Sequence, residues 1–187
     1  MYTPSQEKFL EKARHGNLIP VWREVAADQD TPVSVYRKLR LGMNNEDAEQ
    51  AMFLLESVEG GEHLARYSFV GFDPRAQFTA VGRNVWIDQK GEETRHMEHV
   101  DPLTALKEYM SRFNPVQDAA LPRFTGGAVG YIGYDAVAQF ERVPLPDHND
   151  LKWPDMILLI TDMLIIFDHV RQTMKLVANA YIEDDDP

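Results

Sequence analysis

The residues best suited to chemistry stand in the stretch 51–74, where an apolar run ends in a carboxylate and a hydroxyl side by side, Glu56 and Ser57. A Gly60-Gly61 turn follows, then Arg66 and a second strand-like run from Tyr67 to Phe72. A carboxylate binds an ammonium and a guanidinium binds a carboxylate, each through a charge-assisted hydrogen bond. Two strands that end in Glu56 and Ser57, with Arg66 across from them, suit a pocket for a small zwitterion. They equally suit a hairpin edge with solvated charges, and spacing alone favours that plainer reading.

Other chemistries find less support. The block Phe124 to Asp135 is glycine-rich, but Gly127, Gly130 and Gly133 recur every third residue. That spacing is neither the GxGxxG fingerprint nor a P-loop, which would end in Lys-Ser/Thr. Close backbone packing or positive φ explains these glycines better. The 6 histidines are scattered. His96 and His99 would point to opposite faces of a strand, and no carboxylate sits at helical metal spacing from them. Ser57 and Ser68 are candidate nucleophiles without a visible base, and no pair of acids is singled out for glycoside chemistry. The residues thus show no complete catalytic set and make a metal site unfavoured.

The elements that must position Glu56, Ser57 and Arg66 can be read from local signals. Thr3-Pro4 predicts a first helix carrying Phe9, Leu10 and Ala13 on one face and closing at Gly16. A strand follows over Leu18 to Val25. Thr31-Pro32 starts a second helix, with Val35, Tyr36 and Leu39 facing inward. Ala51 to Val58 and Tyr67 to Phe72 are strands, then Ala76 to Val81 and Asn84 to Ile87 around a Gly82-Arg83 turn. Gln89 to Glu92 turns into a polar strand, Thr94 to His99. Asp101-Pro102 starts a third helix with Leu103, Leu106, Tyr109, Met110 and Phe113 at helical spacing. Gly126 to Tyr131 reads as strand and Tyr134 to Phe140 as a short helix. Met156 to Phe167 and Met174 to Tyr181 read as one antiparallel pair. This order lacks the regular alternation of a doubly wound sheet and predicts an α+β fold, largely antiparallel, with helices covering one face. No clean internal boundary is visible.

At 187 residues, 44% apolar and 26% charged, the chain can bury a sizeable core. A net charge of −11 argues against a general nucleic-acid binder, whose phosphate contacts need a basic surface. The absence of cysteine excludes disulfides and thiol chemistry and fits a cytoplasmic protein. No apolar run approaches the roughly 20 residues that span a bilayer. The acidic run Asp184 to Asp186 before Pro187 reads as the start of a linker, so the chain is expected to be a fragment that self-associates through apolar surface left uncovered.

Taken together, several blocks are more specific than any one alone. Asn17 to Val21, Thr31 to Tyr36, Leu54-Leu55-Glu56-Ser57 with Val58 to Glu62, Arg66 to Phe69, and Phe124 to Asp135 follow one another in a familiar order. The chain resembles the N-terminal region of anthranilate synthase component I, in the chorismate-utilising group, over nearly its whole length. The resemblance implies an α/β/β/α sandwich with orthogonally packed sheets, and residues 1–187 as one regulatory domain. It also implies that Leu55, Glu56 and Ser57 line a site where tryptophan inhibits the enzyme, with Arg66 at a less secure basic position. Chorismate, magnesium and the catalytic residues would belong to a C-terminal region absent from these positions, and a glutamine amidotransferase would supply ammonia. The matching region of p-aminobenzoate synthase, a stand-alone amino-acid-binding module and a purely structural interaction domain are the alternatives.

Overall fold

The computed structural model describes residues 1–43, 51–56, 66–139, 141–144 and 152–183, and capping chemistry starts the three α-helices found among them. Helix α1 (Gln6–Lys12) begins behind Ser5, whose hydroxyl accepts the N–H of Lys8. The predicted start at Thr3-Pro4 is therefore two residues too early. Thr3 is engaged elsewhere, exchanging main-chain hydrogen bonds with Trp22 at 2.8 and 2.7 Å. Helix α2 (Pro32–Gly42) starts as expected, with Thr31 and Ser34 forming a reciprocal capping box and Pro32 in the first turn. Helix α3 (Pro102–Ser111) is capped by Asp101, which accepts the N–H of Thr104 at 2.7 Å. Burial opposes ionisation of Asp101, but the N–H of Thr104 outweighs it, and its carboxyl titrates below the ordinary range. Among the described residues, no helix is long and apolar enough to cross a membrane.

The strands are β1 (Leu18–Ala26), β2 (Phe53–Leu55), β3 (Tyr67–Phe72), β4 (Ala76–Val81), β5 (Asn84–Gln89), β6 (Arg95–Met97), β7 (Gly127–Ile132), β8 (Met156–Thr161), β9 (Met163–Asp168) and β10 (Thr173–Tyr181). They form two antiparallel sheets, ordered β1-β10-β9-β3-β2 and β6-β5-β4-β8-β7, in a mixed α+β fold. The chain divides into two compact units, one of Met1–Pro74, Phe113–Gly126 and Thr161–Pro187, the other of Arg75–Arg112 and Gly127–Ile160. Because each unit is assembled from separated segments, no single boundary is visible along the sequence.

In the first unit, α2 covers one face of its sheet. Val35 packs on Val70, Ile165 and Phe167, with Tyr36, Leu39, Leu54 and Met174 around them. The opposite face buries Leu164, Ile166 and Val177 beneath Leu121, and Phe124 meets Phe69 edge-on at 5.1 Å. Each fully buried aliphatic side chain of this kind contributes about 1.5–3 kcal/mol. In the second unit, Ala105 and Tyr109 of α3 are buried, and the Tyr109 hydroxyl donates to Gln89 at 2.8 Å. Gly130 of β7 passes so close to β8 that a Cβ there would lie 1.9 Å from the carbonyl oxygen of Ile157, while Gly127 takes φ of 125°. The glycine block therefore serves backbone packing and positive φ, as its spacing predicts.

One expected strand is two. Met156 to Phe167 was to pair as a single run with Met174 to Tyr181, but only β9 pairs with β10, and β8 joins β4 in the other sheet. The switch falls at Thr161-Asp162. There the carbonyl of Asp162 accepts the main-chain N–H of Asn179 at 3.0 Å, and the Asn179 side chain donates to Thr125 and Asp162 carbonyls at 2.6 and 3.2 Å. The polar strand expected over Thr94 to His99 shortens to Arg95–Met97, and the helix expected at Tyr134 is a 3-10 helix over Tyr134–Gln139. The readings at Ser57, Gly60-Gly61, Phe140 and Asp184 to Asp186 lie outside the described residues.

Candidate functional site

Strand β2 is the outer strand of its sheet and pairs only three residues with β3: Phe53 with Gly71, Leu54 with Val70, Leu55 with Phe69. Alternation turns Leu54 toward α2 and Leu55 to the opposite face, where it is 43% exposed. Phe53 lies across Gly71, filling the space a side chain would occupy there. Glu56 follows at the end of β2 and is exposed. One further step of the same register sets it opposite Ser68. Ser57 lies outside the described residues. The register continues across the sheet, so that Leu55, Phe69, Ile166, Lys175 and Glu24 stand in one row.

Arg66, at the start of β3, is held by Asp168 at the end of β9. Its Nε and Nη2 donate to the two carboxylate oxygens at 3.1 and 2.7 Å, a bidentate pair. The guanidinium also lies over the Tyr67 ring, 4.9 Å from its centroid. Asp168 is 4% exposed and accepts the N–H groups of Val170 and Arg171 at 3.2 Å each. Burial pushes its pKa up, but Arg66 and those two N–H groups outweigh burial and hold it below the ordinary carboxylate range. The same carboxylate raises the pKa of Arg66. Elsewhere in the same sheet, Lys175 is also engaged: it is buried, meets Glu24 at 2.8 Å and lies 5.4 Å from the Trp22 ring centroid.

Next to Asp168, His169 makes two further contacts with the start of β3. Its main-chain N–H donates to the carbonyl of Arg66 at 2.9 Å, and its Nε2 lies 2.7 Å from Ser68 Oγ. The structure thus supplies the base that the sequence did not reveal for Ser68. The pair is not a working nucleophile, because Ser68 is only 2% exposed and its hydroxyl is shut away from any substrate. His169 is an exposed turn residue, and its contacts with Ser68 and Arg66 tie it to β3. No local pattern links positions about a hundred residues apart; the one available signal was a carboxylate closing an apolar strand, Phe167-Asp168.

Asp168 and His169 also form one wall of an open cleft of about 350 Å³, whose other polar lining includes Asp28, Asp30, Thr31 and Gln172. Asp30 is held by Lys38 at 2.6 Å and by the Ser34 hydroxyl at 2.9 Å, which together keep its pKa low. In size the cleft suits a small molecule, and its charge disfavours an anion. Among the described residues, no three His, Asp or Glu side chains converge in a way that could hold a metal ion. Leu55, Glu56 and Arg66 therefore belong to one β2–β3 edge. Glu56 projects there exposed, while Arg66 is committed to Asp168.

No family model matches the chain. Curated relatives do. Anthranilate synthase component 1 of Acetivibrio thermocellus is 33% identical over 182 residues, 97% of this chain and 35% of that protein. The protein of the same name from Pseudomonas aeruginosa is 38% identical over 169 residues, 89% of this chain and 33% of its own length. That of Neisseria gonorrhoeae is 35% identical over 182 residues, 94% of this chain and 35% of its length. Among solved structures, anthranilate synthase component I from Streptococcus pneumoniae TIGR4 matches 86% of this chain and 31% of its own, at 22% identity and a TM-score of 0.48. The chain spans about a third of the length of the curated relatives it matches. Over that third, the chain belongs to the anthranilate synthase component 1 family.

Proposed function

We propose that this chain serves anthranilate synthase as the part of the large subunit that senses tryptophan and scaffolds the enzyme. In this reading, the whole enzyme converts chorismate and ammonia to anthranilate and pyruvate, with the ammonia delivered by a glutamine amidotransferase subunit. The observation that carries it is the 33–38% identity to proteins named anthranilate synthase component 1 across 89–97% of this chain. The chorismate site and the catalytic residues then belong to the two thirds of the relatives' length outside the match. The same reading assigns magnesium to that part of the subunit.

At the sensing site, Glu56 receives the ammonium of tryptophan and Ser57 hydrogen-bonds the ligand, while Leu55 offers apolar surface to the indole. Arg66 has two of its five N–H donors on Asp168. It therefore steadies the edge and has only its remaining donors for the ligand carboxylate. The decisive experiment is inhibition of anthranilate formation by tryptophan in the subunit that carries this chain. Glu56→Ala and Ser57→Ala should each relieve inhibition, and full sensitivity surviving both refutes the sensing role. The 187-residue chain alone should be inactive as a synthase and should bind tryptophan weakly. Calorimetry finding micromolar affinity, roughly −8 kcal/mol, would overturn that second expectation.

A further inference from the structure

We propose that Asp168 and His169 are the positioning residues of the tryptophan site, fixing the start of β3 against which Glu56 is presented. The inference rests on the tryptophan reading given above. Strand β2 is three residues long and forms the outer strand of its sheet, so its placement depends on β3. The first residues of β3 depend in turn on the end of β9. Asp168 grips the Arg66 side chain at 2.7 and 3.1 Å, and His169 grips the Arg66 carbonyl at 2.9 Å and the Ser68 hydroxyl at 2.7 Å.

Two features steady these grips. Asp168 is fixed independently, because its Oδ1 accepts the N–H groups of Val170 and Arg171 in the turn that follows. Ser68 and Asp168 are themselves buried, which strengthens the hydrogen bonds they make to their more exposed partners. The His169 ring also lies nearly parallel to Phe167, 6.5 Å between centroids and 18° between planes. The β2–β3 register ends at Leu55 and Phe69, and carrying it one step further sets Glu56 opposite Ser68, the residue that the His169 ring grips. His169 thus acts on the ligand through Ser68 and the backbone, without touching it.

The test is calorimetric titration of tryptophan into the subunit carrying this chain, with an unfolding midpoint recorded for every variant. Glu56→Ala should abolish binding. His169→Ala should weaken it about tenfold, the equivalent of one buried hydrogen bond. His169→Gln keeps a polar group in reach of Ser68 and should recover most of that loss. Asp168→Asn keeps the shape of the side chain but not its charge and should weaken binding several-fold even if His169→Ala does not fold. Wild-type affinity in His169→Ala, with Glu56→Ala still defective, overturns the positioning role alone, and so does a His169→Gln variant that recovers nothing. Wild-type affinity in Glu56→Ala removes the tryptophan reading itself, and the positioning role with it.

Discussion

Replacing Gly71 by alanine tests how the outer strand β2 is seated. A Cβ at position 71 would lie 2.0, 2.2 and 2.7 Å from Cε1, Cζ and Cδ1 of Phe53. Ordinary carbon–carbon contact is about 3.5–4.0 Å, so the ring would have to retreat by about 1.5 Å. The ring packs with Leu164, Ile166 and Val177, so its retreat disturbs that cluster and loosens the three-residue pairing of β2. Overpacking of this kind costs about 1–3 kcal/mol. Alanine recovers about 0.5–1 kcal/mol of the backbone entropy that a strand glycine forfeits. The net expectation is a loss of about 1–2 kcal/mol, read as a lower urea midpoint with unchanged slope. Glu56 lies three residues beyond Phe53, so tryptophan affinity should fall in parallel. The double-mutant cycle with Phe53→Ala supplies the decisive sign. With the ring gone, Gly71→Ala should become stabilising by about 0.5–1 kcal/mol. A Gly71→Ala variant as stable as wild type while Phe53 is present would refute the proposed seating.

Three further outcomes are expected. Gly42→Ala, at the end of α2 with nothing within 4 Å of the new Cβ, should raise stability by about 0.4–1 kcal/mol; an unchanged melting temperature would count against it. Asp168 has a folded-state pKa below its unfolded value, so its contribution is complete above the unfolded value of about 4 and disappears as pH falls through the lower folded one. Asp168→Asn should therefore be less stable than wild type at neutral pH, with the gap closing below about pH 4; urea midpoints offset equally from pH 7 to pH 3 would contradict this. Asn179→Ala leaves the Thr125 carbonyl without its side-chain donor and should cost about 1–3 kcal/mol, measured by denaturant titration; a loss under about 0.5 kcal/mol would mean that water replaces the amide.

Sequence by itself determined the features whose causes are local. Thr31 and Asp101 each reach a main-chain N–H three residues ahead, and the proline that follows already has helical φ, so α2 and α3 start where the residue types say. The Gly82-Arg83 turn and the span of β3 are set within a few residues in the same way. The β2 segment bearing Leu55 and Glu56 is legible as an apolar run that ends in charge. Tertiary structure alone decided the rest, because apolar patterning says that a residue is buried without saying against what. It split Met156 to Phe167 between two sheets, since both halves are equally apolar and only long-range pairing distinguishes them. It chose Asp168 for Arg66 and His169 for Ser68, from 102 and 101 positions away. Residue type supplies the charge and the donor; the strength of an ion pair comes from distance and burial, and only the packed sheet fixes those.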